Sequence, residues 1–426
     1  MAAHDWWKDF TRTFRLAFVL AGVASLLAYE TPPPGDMQAR VSHIVGDLQF
    51  DFVNWTLDAI GVKINQGSVA EQDYLPEVRR KQIVLDYLKL VDDVRRVRDE
   101  IAEIYTDPNQ TNPAAAAASK QAELDALLAK QATWQPAAEA VLQEQIATVL
   151  AEQGFATLGQ LLPPVSFHST PLPSFLVVSR RDRIEHIANA EIVPGLTAED
   201  EAALEGRVDK TLDVSSLVVP LGGIGTYPTM LYETGDINTV VEIGAHEWSH
   251  NYLTLRPLGL SYEASGELRT MNETTANIVG KEIAALVIAR FYPERVPPPP
   301  KPQFAPPAQS VIPRESPAFN FNAEMRQTRV QVDALLAAGQ VQEAEAFIEQ
   351  RRHVFLEHGY QIRKINQAYF AFYGAYADQP GAGGSDPVGP AVTTLRERSS
   401  SLRAFVDRMS WMTSFAELKA ALGEGR

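Results

Sequence analysis

Val240-Val241-Glu242-Ile243-Gly244-Ala245-His246-Glu247-Trp248-Ser249-His250-Asn251-Tyr252-Leu253 is the stretch on which the reading of this chain turns. The pattern is helical from Asp236 to about Leu255. On a helix, His246 and His250 stand one above the other on the same face. Two imidazoles so placed can bind one metal ion. Glu247, rotated by one residue, can reach a water beside that ion without ligating it. By chance such a pattern turns up in about one chain in a hundred of this size and histidine content, so its surroundings must carry the argument.

The composition narrows the chemistry. Among 426 residues there is no cysteine, and 38 Lys and Arg stand against 53 Asp and Glu, a net charge of −15. That balance argues against nucleic acid and against a polybasic lipid-binding surface. Without cysteine there are no disulfides, no thiolate metal ligands and no cysteine nucleophile. Any metal must be held by imidazole and carboxylate, so the eight histidines matter one by one. His43, His168 and His186 stand singly and read as structural. His353 and His358 are five apart, the wrong spacing for a shared ion on a helix. No GxSxG elbow or phosphate loop is present, and Gly222-Gly223-Ile224-Gly225 lacks the GxGxxG spacing.

A catalytic zinc ion wants a third protein ligand and an open position. Arg256 stands where HExxHxxGxxH would place a third histidine. Met271-Asn272-Glu273-Thr274-Thr275-Ala276-Asn277 offers a carboxylate instead, Glu273, 23 residues after His250 at the start of the next helical pattern. It leads into the apolar Ile278-Val279, and a glutamate facing a core needs a partner. Glu263 and Glu267 are the next candidates.

HEWSH followed by NETTAN resembles the glutamate zincins over roughly residues 215–290. The resemblance implies a Zn2+ cofactor on His246, His250 and Glu273, a peptide or protein substrate, and Glu247 as the general base. Asn277 occupies the place where the family often has an aspartate bonded to the first histidine, and an amide orients that ring more weakly. The run Ile365–Tyr373 and then Leu402–Leu422 is similar, more loosely, to predicted bacterial aminopeptidases of the same clan. That likeness implies a tyrosine donor to the oxyanion, Tyr373 first, with Tyr369 and Tyr376 behind it. It also implies that Tyr227-Pro228-Thr229-Met230-Leu231-Tyr232 is the edge strand a peptide pairs with, bringing Tyr227, Thr229 and Tyr232 to the substrate.

The expected fold is α+β and mainly helical, a zincin-like catalytic core with a small mixed sheet and surrounding helices. Residues 1–35 read as a signal peptide or signal anchor plus linker: Lys8, Arg12 and Arg15 precede an apolar run from Leu16 to Tyr29. This implies a membrane-anchored or secreted, extracytoplasmic protein. Residues 36–160 read as a helical N-terminal region, with helical patterns at 75–105, 113–131 and 135–153. Residues 161–295 form the zincin core, with strands at Ser174–Ser179, Ile184–Val193 and Ser215–Val219. Residues 296–318 are a Pro-rich loop, and 319–426 a C-terminal helical region with patterns at Asn322–Ala337, Val341–Tyr376 and 388–422. Oligomeric state is not legible. Zinc-dependent peptide hydrolysis is the expected function. The alternative is a non-catalytic helical scaffold or degenerate peptidase at the cell surface.

Overall fold

The computed structural model describes residues 35–68, 75–106, 112–298, 319–360, 362–374 and 387–423. The cationic start, the apolar run to Tyr29, most of the Pro-rich loop, and Tyr376 lie outside the described residues. The architecture is α+β and mainly helical, with two three-stranded sheets. No helix among the described residues is long and apolar enough to cross a membrane.

Two helices, α1 (Met37–Val45) and α2 (Phe52–Ser68), precede a long pair, α3 (Glu77–Thr106) and α4 (Pro113–Glu152). The apolar stripe of α3 packs on α4: Val84, Tyr87, Leu88 and Val91 join the main core, and Val94 and Val97 meet Leu124. Asn112 caps α4 through the Ala115 amide, and Pro113 sits at its first position, where a missing N–H costs nothing. The two helices expected at 113–131 and 135–153 are one. Pro136 lies inside it, and the packing against α3 on both sides of that residue carries the helix across a break that otherwise costs about 3 kcal/mol.

The first sheet has β2 (Ser174–Arg180) in the middle, antiparallel to β3 (His186–Ile192) and β4 (Val214–Val219). Both its faces are covered, which is why β2 and β4 read as continuous apolar runs. Leu176, Val178 and Val218 face α1 and α5 (Ala198–Leu212), a helix opened by a capping box between Thr197 and Asp200. Val177, Leu217 and Val219 face the short helix α11 (Gln367–Tyr373). The second sheet is mixed, in the order β1 (Phe167–Ser169), β6 (Thr229–Leu231), β5 (Gly223–Ile224).

Helices α6 (Ile237–Leu253), α7 (Pro257–Leu260) and α8 (Gly266–Phe291) follow, then α9 (Phe321–Ala337) and α10 (Val341–Glu357). The expected helix Val341–Tyr376 breaks at Gly359, whose φ of +87° is left-handed and ends α10. The expected helix 388–422 is three, α12 (Val388–Glu397), α13 (Leu402–Ser410) and α14 (Phe415–Leu422), because Ser401 and Ser414 each cap a new start. One apolar core draws on α3, α4, α6, α8 and α12 to α14 together.

A buried ion cluster fixes α11 to the sheet. Glu205 of α5, almost wholly buried, accepts two bonds from Arg363 at 2.6 and 3.0 Å and one from Lys364 at 3.2 Å. Asn366 caps α11 through the Tyr369 amide and also donates to the Ser216 carbonyl at 2.8 Å. Arg363→Ala leaves Glu205 with Lys364 as its one cationic partner among the described residues, beside the Val218 amide, and should cost about 2–4 kcal/mol of stability. Chemical denaturation checks this, and a change within about 0.5 kcal/mol would mean the cluster does not hold α11.

Candidate metal centre

Asp236 caps α6 through the amides of Asn238 and Thr239. One side of the helix is core: Val240, Val241, Ala245, Trp248, Tyr252 and Leu253 are all buried. His246 and His250 meet Glu273 of α8, while the Glu247 carboxylate lies against the backbone of Gly223 and Gly225. The two helices touch at Gly280. A Cβ there would lie 2.9 Å from the Glu242 carbonyl oxygen and 3.1 Å from His246 Cβ, so only glycine permits this spacing.

Three donor atoms converge. His246 Nε2 and His250 Nε2 are 3.0 Å apart, and Glu273 Oε2 lies 3.7 and 3.6 Å from them. A point at about 2.0 Å from all three lies at the centre of that triangle, the length of a zinc–nitrogen or zinc–carboxylate bond. The hydrogen bonding fits a cation there. His250 Nδ1 donates to Asn272 Oδ1 at 2.9 Å, which turns Nε2 inward. Tyr262 donates its hydroxyl to Glu273 Oε1, while Glu273 Oε2 is buried with no hydrogen-bond partner among the described residues. His246 is hydrogen-bonded by Asn277.

Burial sets the charges. It lowers His246 to about 4, helped by the neighbouring His250. Burial acts the same way on His250, but the Glu273 carboxylate outweighs it and holds that ring at about 9. Burial would raise Glu273, yet His250, His246 and the Tyr262 hydroxyl bring it to about 2. Burial pushes Glu247 up to about 7, with the Glu273 carboxylate adding to the rise and His250 only partly opposing it. Of the two carboxylates, one is held ionised beside the imidazoles and the other is poised to take or release a proton near neutrality.

A cavity of about 380 Å³ opens beside His246, Glu247 and Asn277. Tyr373 and Tyr369 line its far wall, with Phe321 and Met325 of α9. Burial raises the Tyr373 hydroxyl above its ordinary pKa, so it stays a proton-bearing donor. The substrate strand requires a correction. Thr229–Leu231 is β6, the middle strand, paired to β1 on one side and β5 on the other, and so cannot accept a further strand. Thr229 is buried and accepts from Asn251, Tyr227 is exposed, and Tyr232 donates its amide to the Gly222 carbonyl; none of the three lines the cavity. The sheet's edge strands are β1 and β5, and β5 is the one beside the cavity.

That strand explains the glycines that lacked a phosphate-loop spacing. A Cβ on Gly223 would lie 2.7 Å from Glu247 Oε1, and one on Gly225 3.3 Å from His250 Cβ. The backbone rests directly on the HEWSH face. Tyr262 and Gly280 also belong to the site without any signal of their own in the sequence, and Asn272, the first residue of NETTAN, joins them as the partner of His250. Comparison of the chain with protein-family models, with curated proteins and with solved structures finds no match.

The Glu247 environment has a consequence for stability. Its folded pKa of about 7 lies above the ordinary 4.5, so between those values the folded chain holds a proton the unfolded chain has released. Its contribution therefore falls as pH rises through that window. Metal-free Glu247→Gln should exceed the metal-free parent in stability at about pH 8 by up to about 3 kcal/mol, and the gain should shrink toward zero at about pH 4.5. Denaturation of both at the two pH values decides; a gain independent of pH would contradict a buried, titrating Glu247.

Proposed function

We propose that this protein is a zinc-dependent peptidase of the glutamate-zincin type, with a zincin-like core formed by α6, α8 and the β1–β6–β5 sheet. One observation carries the reading: two imidazole nitrogens and a carboxylate oxygen are at ligand spacing around one point, and a second carboxylate of raised pKa stands beside them. Borderline-soft nitrogen and hard oxygen donors without thiolate, in a three-ligand set with an open side toward a cavity, suit catalytic zinc. When bound, zinc supplies Lewis-acid polarisation of the scissile carbonyl and a lowered pKa for the attacking water.

The chain's own residues do the rest. Glu247 accepts the proton of the attacking water and passes it to the nitrogen of the departing amine. Asn272, Tyr262 and Asn277 hold His250, Glu273 and His246 in the tautomers and orientations that present their donor atoms inward. Tyr373, across the cavity, is placed to donate to the oxygen that gains charge as the carbonyl becomes tetrahedral. Gly222 and Gly223 bring the free edge of β5 to the cavity, where an extended peptide can add its main-chain hydrogen bonds. The cationic start and apolar run before residue 35 support a place for this activity outside the inner membrane.

The protein should carry about one zinc per chain, lost in His246→Ala and in His250→Ala. Glu247→Gln should keep the metal while hydrolysis falls by orders of magnitude. Glu273→Gln should weaken zinc binding steeply, and Asn277→Ala by roughly 10–100-fold. Elemental analysis with peptide-cleavage assays checks each, and a zinc-replete Glu247→Gln variant of unchanged activity would remove Glu247 from the mechanism.

A further inference from the structure

We infer that one face of the molecule, where the loop after α4, the end of α6 with α7, and the end of α13 meet, docks on the surface of an anionic lipid bilayer. The first ground is where the exposed apolar side chains lie. Leu158, Leu162, Leu255, Leu260 and Trp411 stand on these three segments and are 62–100% exposed. Only three other large apolar side chains among the described residues are as exposed. A joint of aromatic rings and hydrogen bonds holds the segments together. Phe155 packs edge-on against Trp248 and Tyr252 of α6, at 5.5 and 5.6 Å between ring centres. Trp248 donates its indole N–H to the Pro163 carbonyl at 2.9 Å, and Arg403 of α13 donates to the Gly154 carbonyl at 3.1 Å. Helix α13 also packs on α7. Exposed apolar side chains scattered singly are ordinary, but five gathered around one joint mark an interface.

The second ground is Leu158. Thr157 and Gln160 exchange both main-chain hydrogen bonds, at 2.7 and 3.1 Å, and leave Leu158 and Gly159 as the corners of a two-residue turn. Both corners are left-handed, with φ of +52° and +79°. Asparagine, aspartate or glycine fills the first corner of such a turn at least cost, whereas a leucine there strains the backbone. Its side chain is 100% exposed, so no packing offsets that strain. What an apolar side chain at a turn tip can gain is entry into an apolar medium.

The third ground is charge, and it favours a bilayer over a protein partner. Residues 154–163, 254–262 and 402–411 carry Arg256, Arg403 and Arg408 against one carboxylate, Asp407, in a chain whose net charge is −15. Arg256 and Arg403 lie over the Tyr252 ring, 3.5 and 5.9 Å from its centre, and Arg403 also pairs with Asp407 at 2.7 Å. Leucines and a tryptophan with arginines beside them suit the boundary of a bilayer, apolar tips in the acyl region and guanidinium groups level with the phosphates. The chain as a whole is too acidic for a polybasic surface, so the attachment rests on apolar insertion with these arginines at its rim. A fluid bilayer needs no pocket shaped for the turn tip. The cationic start and apolar run before residue 35 read as a segment directed to the same surface.

The test uses the full chain, which has no cysteine of its own, with a polarity-sensitive fluorophore on Leu260→Cys or, as control, on Gln340→Cys between α9 and α10. The membrane is vesicles of phosphatidylcholine with about three-tenths phosphatidylglycerol. The label at 260 should shift to the blue when vesicles are added. Nitroxides on the acyl chains should quench it at least about threefold more than the label at 340. Leu158→Asn with Trp411→Ser should remove most of that difference, while Leu158→Asn alone leaves thermal stability unchanged or raised, since asparagine suits the turn. In pure phosphatidylcholine the shift should be smaller, and an equal shift there would overturn the role given to the arginines. A label at 260 that stays in water in the presence of vesicles would overturn the inference. So would a blue shift at 260 without vesicles: one that grows with protein concentration assigns the face to a second copy, and one that does not assigns it to another segment of the chain. Equal quenching at 260 and 340 would mean adsorption without a docking face, and would overturn it too.

Discussion

The contact between α6 and α8 at Gly280 is the constraint on which the rest of the site depends. With the backbones this close, His246 and His250, one turn apart on α6, reach Glu273 of α8 across a gap the size of one coordinated ion. A side chain at position 280 would push against the Glu242 carbonyl and His246 Cβ, both main-chain-anchored. The contact also orders what surrounds it. Helix α8 presents Asn272 to His250 and Asn277 to His246, and Tyr262, just ahead of it, closes on Glu273.

The same closeness concentrates four ionisable groups with little water. Isolated charges there would be costly. The metal-free protein resolves this by opposite displacements: His250 charged and Glu273 ionised as a pair, His246 neutral, Glu247 near its midpoint at neutral pH. Neighbouring carboxylates driven apart in pKa are a recurrent device for separating a ligand from a base. A scaffold far from this point keeps the opposite wall in place. The Glu205 cluster ties α11 to the first sheet and thereby sets Tyr369, Phe372 and Tyr373 facing the HEWSH helix.

What was legible in the sequence was local. The four-residue spacing of His246 and His250 and the strands around Val177 and Leu217 follow from periodicity. The structure brings Glu273 to the histidines and Asn277 to His246, and it sets Tyr373 in the same cavity as Glu247. What was not legible depends on partners distant in the chain. Which of β5 and β6 is the edge follows from β1 pairing with β6 across 62 positions, and no local pattern encodes that. Tyr262 looks like an ordinary polar residue until α7 and α8 fold back on α6. Pro136 marks a break by its own chemistry, and only the packing against α3 overrides it.

X-ray absorption of the zinc-loaded chain tests the central claim most directly, because it reads the ligand shell itself. The account predicts a low-coordinate zinc with two imidazoles and one carboxylate oxygen at about 2.0–2.1 Å, plus one light-atom position open to exchange. The Glu273→Gln variant should lose the carboxylate distance while both imidazoles remain. A shell of six oxygens, or one with fewer than two imidazoles, would contradict it.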